Sequence, residues 1–127
     1  MKKFAKPNNE ATVLDLGVRN PFSEVMEQNG YTVINTTGED LDEFYEIVKN
    51  DTIDAVTAFE IFEHLLSPYE VLKAINSKKL IATIPLNLWF AKAYRSKTDM
   101  RDRHYHEFED WQFDWLIEKA GWTIKRN

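Results

Sequence analysis

The 127-residue chain has a formal net charge of -5, is 43% hydrophobic and 13% aromatic, and contains no cysteine. That length suits one domain, the apolar share is too high for a disordered tail, and the acidic balance argues against a nucleic-acid partner. Lack of cysteine excludes disulfides, thiolate nucleophiles and Cys-ligated zinc, and agrees with a cytoplasmic setting.

Residues 1–10 are basic at their start (Lys2, Lys3, Lys6), with no apolar run behind them. They read as a flexible N-terminal arm rather than a signal peptide, ahead of a single domain over 11–127. No stretch is apolar for long enough to span a bilayer, so no membrane partner is expected.

Ala11 to Leu16 is a short apolar run ending at Gly17, the pattern of a buried strand. Asn20-Pro21 then offers an N-cap and a proline in the first helical turn, and Phe22, Val25 and Met26 repeat at helical spacing up to a stop at Gly30. Tyr31 to Thr36 is rich in β-branched residues and predicts a second strand. Asp40 and Glu43 form a capping-box pair ahead of Leu41, Phe44, Tyr45 and Val48, which predicts a helix with those four on one face.

Ile53 to Phe59 predicts a third strand. Ser67-Pro68-Tyr69-Glu70 combines a Ser cap, Pro at the first helical position and Glu three residues on, with Val71, Leu72 and Ile75 as the buried face of the helix that follows. Leu80 to Ile84 predicts a fourth strand. Phe113, Leu116, Ile117 and Ala120 mark a final helix stopped by Gly121, and Trp122 to Lys125 a last strand.

Strands alternating with helices at this spacing imply an α/β fold, a mainly parallel sheet with helices on both faces. The first strand is expected at the centre, between the second and third. Val13, Leu14, Val33, Val56, Phe59, Leu80, Ile81, Leu116 and Ile117 are the expected core.

Three segments in order resemble the small class I S-adenosylmethionine-dependent methyltransferases: Val13-Leu14-Asp15-Leu16-Gly17, Ile53 to Leu65 with its Phe62-Glu63-His64-Leu65 turn, and Leu80 to Asn87 followed by His104 to Trp122. The resemblance implies a Rossmann-like, minimal or truncated methyltransferase fold. It further implies S-adenosylmethionine as cofactor and methyl transfer to a small acceptor.

It assigns the cofactor to Asp15, Gly17, Arg19, Glu39, Phe59 and Glu60. A general base on the acceptor falls to His104 and His106, whose ordinary pKa lies near neutrality. No metal site is expected, although Glu60, Glu63, His64, His104, His106 and Glu107 bring ligand types together in sequence.

The chain departs from the family pattern in several places. The loop reads Gly17-Val18-Arg19-Asn20-Pro21, keeping only the first glycine of Gly-x-Gly-x-Gly. No acid ends the second strand, so Glu39 or Asp40 has to stand in. One strand and one helix are missing between Thr37 and Ile53. These losses make the motif degenerate and keep a second reading open, a non-catalytic methyltransferase fold serving as a binding or assembly module.

Individual residues also read more than one way. Arg19 is a clamp on the cofactor's carboxylate, a side chain filling the cofactor's space, or a solvated loop residue. Lys92, Arg95, Lys97, Arg101 and Arg103 form a basic stretch suited to an anionic acceptor, or a solvated loop. An unpaired sheet edge late in the chain, with Trp89, Phe90, Trp111, Trp115 and Trp122 nearby, suggests a homodimer.

Overall fold

The computed structural model describes residues 11–84, 105, 106 and 108–125. Four strands, β1 (Thr12–Asp15), β2 (Thr32–Asn35), β3 (Ala55–Phe59) and β4 (Lys79–Thr83), form one sheet in the order β2-β1-β3-β4. Every neighbouring pair is parallel, with Leu14 in register with Ile34 on one side and Val56 on the other. The expected α/β fold with β1 at the centre is therefore present. The expected N-terminal arm, Lys92 to Arg103, Trp89, Phe90, His104 and Glu107 lie outside the described residues.

The sheet is covered on both faces because β1 alternates its side chains between them. Leu14 and Leu16 join Val56, Ala58, Phe62, Val71, Leu72 and Phe113 on one side, where helices α2 (Pro68–Ala74) and α3 (Asp110–Lys119) pack. Val13 points the other way, to Ala11, Tyr31 and the Met26 side chain of helix α1 (Pro21–Gln28). Phe62 is fully buried; burial of so large an apolar side chain contributes about 1.5–3 kcal/mol.

Three of the nine residues expected in the core, Val13, Leu14 and Val56, are completely buried. Val33, Phe59, Leu80, Ile81, Leu116 and Ile117 are half-buried. The reason is the narrow sheet: among the described residues β2 and β4 are its outer strands, and α3 sends only Phe113 into the deep core.

Helix α1 starts as predicted. Asn20 Oδ1 accepts from Phe22 N–H (2.9 Å) and Ser23 N–H (3.3 Å), and Ser23 Oγ accepts in return from Asn20 N–H (3.2 Å). The helix predicted over Leu41 to Val48 does not form. One helical bond, from Phe44 N–H to the Asp40 carbonyl, is followed by a 3-10 turn over Glu46–Lys49. Leu41 and Val48 are buried, whereas Phe44 is 62% exposed, so the helical stripe is split. Within this segment the Asp42 carboxylate reaches across to the backbone ahead of α2.

Asp42 also replaces the predicted cap of α2. The Ser67 side chain makes no capping bond. The two Asp42 carboxylate oxygens instead accept from Leu66 N–H and Ser67 N–H, each at 2.8 Å.

No strand forms over Trp122 to Lys125. Gly121, at φ +102°, ends α3 in the left-handed conformation, and Trp122 then donates its indole N–H to the Leu72 carbonyl at 3.0 Å. Anchored on α2, the chain does not line up for pairing with β4. No helix among the described residues is long and apolar enough to cross a membrane.

Candidate functional site

Parallel strands place all their carboxyl ends on one side of the sheet, where the loops leaving them open a crevice. Here that crevice is a cleft of about 440 Å³, bordered by Gly17 after β1, Thr36 to Asp42 after β2, and Ile61 to Leu66 after β3. Leu41, Ile61, Leu65 and Leu66 supply apolar wall; Glu39, Asp40, Asp42, His64 and Tyr105 supply polar groups.

Gly17 is held at φ +112°, a conformation that suits glycine. A Cβ on it would stand 3.4 Å from Ile61 Cδ1 at the cleft wall. Both of its backbone polar groups are engaged: the N–H donates to Thr36 Oγ1 at 2.7 Å, and the carbonyl accepts from Asn35 Nδ2 at 3.3 Å. The loop thus leans on the end of β2 and presents its Cα, not its amide, to the cleft.

Asp15 lies beneath that loop, fully buried. Its Oδ1 accepts from Thr57 Oγ1 at 2.8 Å. Its Oδ2 accepts from Asn20 Nδ2 (3.0 Å), Ser23 Oγ (2.9 Å) and Asn35 Nδ2 (3.1 Å). A buried carboxylate needs such partners, since burying the charge without them is costly. These four donors come from β2, β3 and the start of α1, so the residue expected at the cofactor is the node that ties the central strand to its surroundings.

Glu39 stands at the cleft. Its carboxylate folds back on the loop, accepting from Thr37 N–H at 3.0 Å and Thr37 Oγ1 at 2.7 Å. The Thr37 hydroxyl holds the carboxyl below the ordinary carboxylate range, against the opposing effect of partial burial.

The remaining expected residues sit elsewhere. Arg19 makes a bidentate pair with Glu27 (2.7 and 2.6 Å) on the exposed side of α1, which raises the guanidinium pKa and lowers that of Glu27. Phe59 packs on Phe22 across the α1 face, ring centroids 4.9 Å apart. Glu60 follows β3 at φ +58°, exposed, its N–H donating to the Thr83 carbonyl at 3.0 Å. His106 uses Nε2 to hold the Leu66 carbonyl (3.0 Å) and stacks on Phe108, so it braces the cleft wall.

Thr36 and Asp42 build the site without having been singled out. Thr36 was legible only as a hydroxyl at a strand end, and Asp42 only as one acid among several in Glu39-Asp40-Leu41-Asp42-Glu43. Among the described residues no group of three or more His, Asp or Glu side chains has metal-ligating geometry. No family model matches the chain, and neither a curated protein nor a solved structure does.

Proposed function

We propose that the protein is a divergent S-adenosylmethionine-dependent methyltransferase-like enzyme of the cytoplasm, acting on a small acceptor in this cleft. The observation that carries the reading is the meeting of Gly17 and Glu39 across one crevice at the carboxyl ends of β1 and β2. The cleft volume of about 440 Å³ falls in the range of small-molecule sites, about 300–1,000 Å³.

The residues fit the nucleoside end of the cofactor better than its amino-acid end. Glu39 offers carboxylate oxygens to hydroxyl groups, with Leu41, Ile61 and Leu65 as apolar wall for a base. At the other end Asp15, Arg19 and the Gly17 amide are all engaged within the chain. The sulfonium, when bound, supplies a methyl group that is already activated. The protein's own work is to exclude water and hold the acceptor at near-attack distance.

His64 lines the cleft, and His106 braces its wall by holding the Leu66 carbonyl through Nε2. Among the described residues the lining contains Glu39, Asp40 and Asp42 and no lysine or arginine. Exposed Trp111 and Trp115, packed edge to face on α3, are the surface proposed for a homodimer.

One observation favours the second reading, a non-catalytic binding or assembly module: Asp15 and Arg19 are both consumed by internal partners. Titration calorimetry with S-adenosylhomocysteine separates the two. Saturable heat together with a rise in melting temperature supports the enzyme. No heat and no thermal shift at millimolar ligand puts the module ahead.

A further inference from the structure

A second groove, of about 690 Å³, lies at the amino end of β4, at the opposite end of the sheet from the cleft. Lys73, Lys78, Lys79 and Lys125 surround it, and among the described residues no aspartate or glutamate lines it. Leu80 and Trp122 are among its lining residues and give it an apolar patch.

This concentration of one sign runs against the chain as a whole, whose net charge is -5. Among the described residues, Lys78 and Lys125 take part in no ion pair. Lys73 rests over the Tyr69 ring at 5.7 Å. A concave surface lined by one sign of charge focuses its field and raises the local concentration of counter-ions. Trp122 is fixed by its bond to Leu72, so the patch is built before any ligand arrives.

We propose that this groove binds a small organic phosphate, with its phosphate among the lysines and its apolar body on the Leu80–Trp122 patch. A phosphate monoester carries about two negative charges near neutrality, which suits several ammonium groups better than a single carboxylate does. A groove of this size is also within the small-molecule range, about 300–1,000 Å³. It is distinct from the cleft, so its occupancy does not depend on the methyltransferase reading.

The test is an NMR titration of the full chain with phenyl phosphate, with inorganic phosphate and an acidic peptide in parallel. Saturable shifts at the amides of Lys78 to Ile81 and Gly121 to Lys125 and at the Trp122 indole are expected, with phenyl phosphate binding more tightly than inorganic phosphate. Lys78→Gln combined with Lys125→Gln should weaken binding about tenfold, as removal of two charge-assisted contacts does. Both lysines are exposed, so the spectrum of the free variant should stay folded. Arg19→Gln, which removes one charge at the other end of the sheet, should bind like the parent. Non-saturating shifts, equal binding by the double variant, or preference for the acidic peptide would overturn the proposal.

Discussion

Asp42 caps the helix that Ser67 was expected to cap: its carboxylate accepts from the Ser67 amide at 2.8 Å and from the Leu66 amide at the same distance. One side chain from the β2 exit thereby satisfies the backbone ahead of α2 and joins two walls of the cleft. Asp42→Ala should destabilise the protein by about 1–2 kcal/mol, the upper part of the range for a lost cap. Ser67→Ala should leave the urea midpoint nearly unchanged, since the Ser67 side chain makes no capping bond. Equal losses for the two variants would contradict this division of roles.

Asp15 carries a larger share of stability. Asp15→Ala removes the acceptor shared by Asn20, Ser23, Asn35 and Thr57 and takes it from the buried Ser23 and Thr57 hydroxyls in one step. With each unsatisfied buried group costing about 1–3 kcal/mol, a total loss of about 3 kcal/mol or more is expected in chemical denaturation. Asp15→Asn should also destabilise, because its amide would face hydroxyl and amide donors.

Glu39 predicts a pH dependence. Its folded pKa is depressed, chiefly by the Thr37 hydroxyl, from an ordinary value of about 4.5. The charged carboxylate therefore contributes stability that is fully present above that ordinary value and is lost as pH falls through the lower folded value. The stability gap between the parent and Glu39→Gln should be constant near neutrality and close in acid below the ordinary glutamate range. Denaturation curves across that range measure it; a gap that widens in acid would refute the assignment.

Arg19 should be dispensable in the cleft. Its guanidinium is paired with Glu27 on the outside of α1, so Arg19→Ala should leave S-adenosylhomocysteine binding by calorimetry unchanged. Gly17→Ala, at φ +112° and with Ile61 Cδ1 at 3.4 Å from the new Cβ, should weaken it. Loss of binding in Arg19→Ala would restore the clamp.

Trp115 is 67% exposed, whereas the Trp122 indole is bonded to Leu72. Light scattering at concentrations of tens of micromolar should therefore give a dimer mass that falls to the monomer in Trp115→Ser. Trp122→Ser should instead lower the melting temperature. A monomer mass for the parent would end the dimer proposal.

Local chemistry was sufficient for the four strands, for α1 with its Asn20-Pro21 start, and for α3 with its Gly121 stop. These depend on alternation, helical spacing and caps within a few residues of one another. On the same grounds Gly17 reads only as a turn glycine between a buried strand and a helix; its place at the site is implied by the family resemblance. What the tertiary structure alone decided was where polar side chains find partners distant in sequence. Asp15 meets Thr57 across 42 positions and Asp42 meets Ser67 across 25. Arg19, which reads as clamp, plug or solvated loop in sequence, pairs with the Glu27 carboxylate on α1. The Leu41 to Val48 stripe has helical spacing and yet forms one turn and a 3-10 segment, and the Asp42 bonds to the backbone ahead of α2 are satisfied only when α2 is in place.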